Sequence, residues 1–156
     1  MHNRKSIRLK NWNYTDPGYY FVTICANNRQ HLFGDIVNDQ MIPNEFGIIV
    51  KCAWFDLVNH NPDIALDEFA IMPNHIHGII IIGVGLEPTP TPLSEIVRQF
   101  KTFSAKRINK LRNTPYAKLW QRNYYDHIIR NEPSLNEIRT YINNNPRQWS
   151  RDKYNP

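Results

Sequence analysis

The stretch IALDEFAIMPNHIHGIIIIG, residues 64–83, predicts two β-strands joined by a tight turn. Residues 64–72 and 76–83 are rich in β-branched and aliphatic side chains, and the Pro-Asn pair between them favours a turn. Because successive side chains of a strand point to opposite faces, His75 and His77 should lie on the same face. The stretch therefore predicts a hairpin that presents two imidazoles on one side of a sheet.

Apolar periodicity on both sides of this hairpin predicts the remaining strands and helices. The order strand, helix, strand, strand, helix, strand, helix favours a single α+β domain of 156 residues. In it, an antiparallel sheet would be covered by helices on one face. The predicted strands cover residues 19–25, 64–72, 76–83 and 125–130, with brief extended pairing at 35–42, and the predicted helices cover residues 44–59, residues from Ser94 onwards and residues from 132 onwards.

Charge and composition narrow the class of protein. The 19 lysine and arginine residues exceed the 14 acidic residues, and the net charge of +5 favours a polyanionic partner, although a merely basic protein fits equally well. The charged N-terminus lacks the apolar stretch of a signal peptide, so a cytoplasmic protein without membrane contact is expected. Cys25 and Cys52 lie in apolar runs, as buried thiols usually do. Residues 1–18 form a basic arm, and residues 85–92 form a proline-rich loop.

Two pairs of side chains are candidates for chemistry. His75 and His77 are suited to one divalent cation, but a chance pair is not rare in a chain with six histidines. Tyr141 and Asn145 are four residues apart on a predicted helix, so they share a face on which the amide oxygen is a further candidate ligand. The alternative is a half-buried aromatic residue and a polar helix end, where Pro146 should move Asn145 away from α geometry. Both interpretations stay open on this pattern alone.

Other candidates rest on residue type. Tyr124 and Tyr125 are further candidate nucleophiles, His127 is better explained as a core residue than as a ligand, and Asp67 or Glu68 is a candidate to reach the histidine pair. Basic residues near aromatic ones are typical of nucleic-acid contacts, although a solvated charged face explains the helix equally well. The basic candidates are Arg4, Lys5 and Arg8 in the arm, and Arg98 and Lys101 on the second predicted helix.

Several stretches of the chain resemble one family of transposases. The HUH motif of single-tyrosine transposases, in which one bulky apolar residue separates two histidines, resembles residues 72–82, MPNHIHGIIII. Nearly the whole chain resembles the REP-associated tyrosine transposases, a group within the transposases of small palindrome-ended insertion sequences. The further matching stretches are RKSIRLKNWNYTDPGYYFVTIC (4–25), LSEIVRQFKTFSAKRIN (93–109), LWQRNYYDHIIRN (119–131) and YINNNP (141–146).

The resemblance implies a fold, an activity and a role for each matching residue. Tyr141 would be the nucleophile, and His75, His77 and Asn145 would bind a divalent metal, Mg²⁺ or Mn²⁺. The implied fold is ferredoxin-like, as in RNA-recognition modules, with an extra C-terminal helix that carries Tyr141. The implied activity is cleavage and rejoining of single-stranded or hairpin DNA with palindromic repeats, through a 5′-phosphotyrosine intermediate.

This interpretation also implies partners for the protein, and two other functions compete with it. The enzyme would act as a monomer or homodimer in the cytoplasm, associated with the nucleoid through DNA, and Arg4, Lys5 and Arg8 would contact the DNA near the hairpin. The first alternative is a non-catalytic module of the same fold that binds single-stranded nucleic acid. The second is a metal-dependent hydrolase of small phosphoesters that uses water instead of Tyr141. A covalent protein–DNA adduct distinguishes the transposase from both.

Overall fold

The computed structural model describes residues 17–85 and 90–155, so most of the basic arm and the middle of the proline-rich loop lie outside it. Within these residues the predicted order of strands and helices is confirmed, and the extended pairing after the first strand is a short hairpin. The elements are β1 (Gly18–Cys25), β2 (Gly34–Val37), β3 (Gln40–Pro43), α1 (Glu45–His60), β4 (Ile64–Met72), β5 (His75–Ile82), α2 (Leu93–Leu111), β6 (Tyr125–Ile129) and α3 (Glu132–Asn144).

Four of the strands form one antiparallel sheet in the order β4-β5-β1-β6. This order, with α1 and α2 as the two crossover helices, is the ferredoxin-like α+β arrangement that the sequence predicts. In the centre of the sheet, His77 of β5 lies opposite Thr23 of β1. The separate β2–β3 hairpin turns at Asn38 and Asp39, whose φ angles of 51° and 61° are typical of tight hairpin turns.

One face of the sheet is covered by α1 and α2 and forms the main hydrophobic core. Asn44 begins α1 as predicted, because its side chain accepts a 3.0 Å hydrogen bond from the Gly47 backbone N–H. Trp54 of α1 lies directly over Gly78 of β5, where an added Cβ atom would collide with the indole ring. This close approach fixes the helix against the strand that carries the histidines. The cluster includes Tyr20, Val22, Ile24, Val50, Trp54, Leu57, Ile76, Ile80, Ile96 and Phe100.

The opposite face of the sheet is partly covered by α3, the predicted extra helix. Leu135, Ile138 and Ile142 of α3 pack inward, as expected, against a second cluster that contains Phe21 and Ile79. The odd-numbered residues of β5 point to this face, because side chains alternate along a strand. The helix and the histidine pair therefore lie on the same side of the sheet.

Three local predictions are wrong. Asn145 keeps α geometry (φ −55°, ψ −45°) although Pro146 follows, because the chain continues into a short 3-10 helix in which proline takes the first position. His127 is exposed rather than buried, since it lies on the edge strand β6 and borders an open cavity with Arg130. Cys52 is exposed on α1, whereas Cys25 is buried.

No described helix is both long and apolar enough to cross a membrane.

Candidate active site

The two predicted metal ligands lie side by side at the start of β5. His75 and His77 have 0% and 1% of their surface exposed, and their Nε2 atoms are 3.1 Å apart. The strand directs both imidazoles to the face that α3 covers, while Ile76 between them belongs to the main core. Two ring nitrogens thus converge on one point, as the sequence predicts.

Each imidazole is oriented through its other ring nitrogen. His75 Nδ1 lies 2.7 Å from Asn74 Oδ1, and the amide nitrogen of Asn74 donates to two backbone carbonyls at 2.7 and 3.3 Å. The amide oxygen must therefore accept from the Nδ1–H group of His75, which leaves a lone pair on its Nε2 atom. The Nδ1 atom of His77 forms a 2.8 Å hydrogen bond with the hydroxyl of Thr23. Such contacts behind the ring are typical of metal-binding histidines.

Burial keeps both imidazoles uncharged at neutral pH. Loss of solvation lowers the pKa of His75 to about 2, with a further contribution from His77. Loss of solvation likewise lowers the pKa of His77 to about 3. The Asn145 side chain acts in the opposite direction on the pKa of both rings, so it lies beside them. Neutral imidazole is the form that binds metal ions.

Asn145, the predicted third ligand, brings an oxygen atom to the same place. The residue is 2% exposed, and its side-chain oxygen has no hydrogen bond of ordinary geometry to any described residue. Its amide nitrogen donates to the backbone carbonyl of Tyr141 at 3.1 Å, which settles the orientation of the group. A buried oxygen without a partner is destabilising, and a cation held by the histidines would satisfy it.

Asp152 is a candidate ligand that sequence reasoning missed. Its carboxylate oxygen lies 3.8 Å from His75 Nε2, and one ligand atom from each of Asp152, His75 and His77 lies within 4.8 Å of the others. Burial raises the pKa of this carboxyl group. The residue follows the 3-10 helix Pro146–Arg151, a segment without the apolar periodicity that could have placed it against β5.

Tyr141, the predicted nucleophile, lies beside the histidines. Its ring centroid is 5.3 Å from that of His77 and 6.2 Å from that of Phe21. The residue is 38% exposed and lines a cavity of about 330 Å³ with Asn145 and Asp152. Burial raises the pKa of its phenol, so the hydroxyl is protonated at neutral pH until it is activated. The tyrosine, the histidine pair and the two candidate oxygen ligands therefore border one site.

The other predicted candidates either bind groups outside this site or lie outside the described residues. Asp67 is held by Arg139 of α3 through hydrogen bonds of 2.6 and 2.8 Å, so it does not reach the histidines. Arg98 binds Glu95 on the exposed side of α2 at 2.6 Å. The ammonium of Lys101 donates to two backbone carbonyls at 2.9 Å. The predicted DNA contacts of the arm, Arg4, Lys5 and Arg8, lie outside the described residues.

Comparison with known proteins adds a family to this geometry. The family model described as "Transposase IS200 like" matches residues 15–145. An uncharacterised protein of Haemophilus influenzae Rd is 42% identical over 170 residues, an alignment that covers 98% of this chain and 93% of that protein.

Two solved structures share the fold. The structure of a REP-associated tyrosine transposase bound to a REP hairpin has a TM-score of 0.66 at 19% identity, covering 94% of this chain and 76% of that chain. A candidate transposase from Deinococcus radiodurans R1 has a TM-score of 0.54 at 20% identity, covering 88% of this chain and 97% of that chain. Since the family model spans most of the sequence, including both histidines and the tyrosine of the site, this chain belongs to the IS200-like transposase family.

Proposed function

We propose that this protein cleaves and rejoins single-stranded or hairpin DNA through a 5′-phosphotyrosine intermediate, with Tyr141 as the nucleophile. One observation supports this most directly: the Tyr141 ring lies 5.3 Å from the ring of His77, although the two residues come from distant parts of the chain. Membership of a transposase family supports the same activity. The likeness to a REP-associated transposase bound to a hairpin supports palindromic hairpin DNA as the substrate.

A divalent metal ion would be held by His75 and His77 together with an oxygen of Asn145, Asp152 or both. The residues fit such an ion, because two neutral ring nitrogens converge and the Asn145 oxygen is buried without a partner among the described residues. Mixed nitrogen and oxygen ligands suit Mn²⁺ better than Mg²⁺, which prefers oxygen ligands. When bound, the ion would supply Lewis-acid polarisation of the scissile phosphate.

Tyr141 would exchange one phosphodiester for another. Its oxygen forms a bond to phosphorus while the bond from phosphorus to the 3′ oxygen breaks; the phenol loses a proton and the 3′ oxygen gains one. The products are a 5′-phosphotyrosine and a free 3′-OH, so a second 3′-OH can reverse the step and join DNA without ATP. Placing the phenol beside the bound phosphate contributes part of the effective-molarity benefit, which reaches about 7–11 kcal/mol for well-oriented groups.

Positive side chains near Tyr141 are suited to binding the DNA backbone. Arg151 and Lys153 line the same cavity as the tyrosine, where they would neutralise phosphates on either side of the cleaved bond. Arg98 would have to exchange its present hydrogen bonds with Glu95 for phosphate contacts, whereas Lys101 is held by two backbone carbonyls and is not proposed to contact phosphate. The remaining proposed DNA contacts are Arg4, Lys5 and Arg8 of the basic arm.

The proposed catalytic groups all come from one chain. Tyr141 of α3 lies beside His77 of its own β5, so the cleavage step does not require a residue from a second copy. We therefore expect a monomer to be sufficient for cleavage of DNA in the cytoplasm.

A covalent adduct tests the proposal. The protein is incubated with labelled hairpin DNA and Mn²⁺ and run on a denaturing gel, where the wild type should form a protein–DNA band. Tyr141→Phe should form none while keeping its affinity for the hairpin, because only the nucleophilic oxygen is lost. The matched control is Tyr116→Phe. Tyr116 is fully exposed (100%) and lies outside the sequence motifs that predict the active site.

The other outcomes identify the competing functions. Tight hairpin binding by the wild type without an adduct on any hairpin would favour a binding module. An adduct that persists in Tyr141→Phe would exclude this tyrosine as the nucleophile. Phosphoester hydrolysis that is unchanged in Tyr141→Phe would favour the water-dependent hydrolase.

A further inference from the structure

A second cavity, of about 190 Å³, lies next to the candidate active site on the same face of the sheet. Its wall contains three tyrosines, Tyr124, Tyr125 and Tyr154, and two residues with side-chain amides, Gln121 and Asn123. Thr23 of β1 also lines it. The mechanism proposed above uses none of these side chains to hold substrate.

This second cavity, the tyrosine–amide cavity, is in direct contact with the metal-binding residues. Thr23 forms the 2.8 Å hydrogen bond to His77 Nδ1, and the Tyr154 ring centroid lies 4.6 Å from that of His75. Lys153 connects the two cavities: it lines the Tyr141 cavity, and its ammonium lies 5.1 Å from the centre of the Tyr154 ring. A strand whose phosphate reaches the histidines would therefore have a neighbouring nucleotide at the tyrosine–amide cavity.

The chemistry of the wall suits a flat, polar ring. Tyr125 is 42% exposed, although its ring meets Phe21 edge-on and lies 5.8 Å from the Lys153 ammonium. A base would stack on the exposed part of this ring, and such stacking stabilises unpaired bases without regard to sequence. The side-chain amides of Gln121 and Asn123 have no hydrogen-bond partner among the described residues, and amides read the donor and acceptor edge of a base. The volume lies below the range of about 300–1,000 Å³ typical of drug-sized ligands, which favours a single base.

The cavity is held in shape before any ligand binds. The Lys101 ammonium donates to the backbone carbonyls of Gln121 and Arg122, both at 2.9 Å, and lies 5.7 Å from the centre of the Tyr124 ring. The Gln121 backbone N–H donates to the carbonyl of Cys25 at 2.9 Å. Lys101 is therefore a positioning residue for this wall, a role that its place in a basic helix did not predict.

We propose that the tyrosine–amide cavity binds one unpaired base of the DNA substrate, next to the scissile phosphate, by stacking on Tyr125 and by hydrogen bonds to the amides of Gln121 and Asn123. The inference rests on the proposed function for the identity of the ligand as substrate DNA. It adds a residue set that selects the nucleotide beside the cleaved bond. Stacking would supply affinity, and the amides would supply preference among bases.

An abasic scan tests the cavity without relying on cleavage. In the Tyr141→Phe background, affinity is measured by fluorescence anisotropy for a defined DNA hairpin with single-stranded extensions on both sides. Each extension nucleotide is replaced in turn by an abasic one. One position should weaken binding about 5- to 100-fold, the loss expected for one stacked base.

Variants of the wall assign that position to the cavity. Added to Tyr141→Phe, Tyr125→Ala should bind the intact hairpin as weakly as Tyr141→Phe alone binds the DNA with the sensitive abasic position. In this double variant, abasic substitution at that position should no longer weaken binding, while the effects at other positions should stay the same. Tyr125→Phe keeps the ring and should keep the affinity. Gln121→Ala should keep most of the affinity but bind the four bases at that position more equally. Tyr116→Ala, which removes a fully exposed tyrosine, is the matched control and should change nothing.

Two results would contradict the proposal that this cavity binds a base, and neither result depends on the nucleophile. They are a flat abasic scan, and a scan whose sensitive position is unaffected by both Tyr125→Ala and Gln121→Ala. If the wild type still forms the covalent adduct in those cases, the proposed function stands and only the base site fails. If no adduct forms but the coupling between Tyr125 and one base is present, the base site stands and the cleavage proposal fails.

Discussion

The two faces of the four-stranded sheet are built from alternate residues of the same strands, but they differ in composition. On the face under α1 and α2, Tyr20, Val22 and Ile76 belong to a continuous cluster of buried apolar side chains. On the face under α3, a smaller apolar cluster gives way at one end to His77 and Thr23, which are buried and polar. The comparison shows that alternate residues of the same strands form either the main hydrophobic core or the candidate site.

The largest expected effect comes from opening the apolar face. Trp54 is 0% exposed, stacks on Phe69 with centroids 4.9 Å apart and packs against Gly78. Trp54→Ala should lower the free energy of unfolding by about 3–5 kcal/mol, measured by urea denaturation, because it leaves a large cavity. Phe55→Ala is the control on the same helix: Phe55 is 47% exposed and its loss should cost less than about 1 kcal/mol. Equal losses of unfolding free energy in the two variants would mean that the buried side of α1 does not stabilise this face of the sheet.

A smaller, pH-dependent effect should come from the polar face of the metal-free protein. The folded pKa values of His75 and His77, about 2 and about 3, lie below the ordinary value of 6.5. The unfolded state therefore binds more protons below pH 6.5, so stability is complete above that pH and is lost as the pH falls toward the folded pKa values. The loss should approach roughly 1 kcal/mol per pH unit for each histidine.

Thermal denaturation between pH 7 and pH 5, in the presence of a chelator, measures this slope. The double variant His75→Gln/His77→Gln should show a much flatter dependence, because neither side chain titrates in this range. A slope that is the same in both proteins would contradict buried, neutral imidazoles. Adding Mn²⁺ at pH 7 should raise the melting temperature of the wild type and not that of the double variant.

The smallest expected effect concerns the docking of α3 on the polar face. Arg139 of α3 binds both carboxylate oxygens of Asp67 on β4, and this contact lowers the pKa of the carboxyl group. Asp67→Asn should cost about 1 kcal/mol, since the pair is partly solvated. Hydrogen exchange in α3 should become faster, whereas Glu95→Gln, which removes an exposed pair within α2, should leave α3 unchanged. Unaltered exchange in Asp67→Asn would show that apolar packing alone holds the helix.

The elements could be predicted because their signals are local. The β-branched runs of β1 and β5 and the Asn44 cap of α1 lie in short windows of sequence, and the structure has them where those windows place them. The predictions for His127 and Cys52 are wrong for the opposite reason. An apolar neighbourhood in sequence does not reveal whether another element covers the residue in space.

For the candidate site, local rules and tertiary packing contributed different parts. Strand alternation places His75 and His77 on one face, and helical spacing places Tyr141 and Asn145 on one side of a helix. The sequence by itself determined these two pairs, since each depends only on the repeat of one element. Only the tertiary structure decided that the pairs meet, and that Asp152 and the Lys101-braced wall join them. Those contacts depend on packing between segments far apart in the chain, which no local pattern encodes.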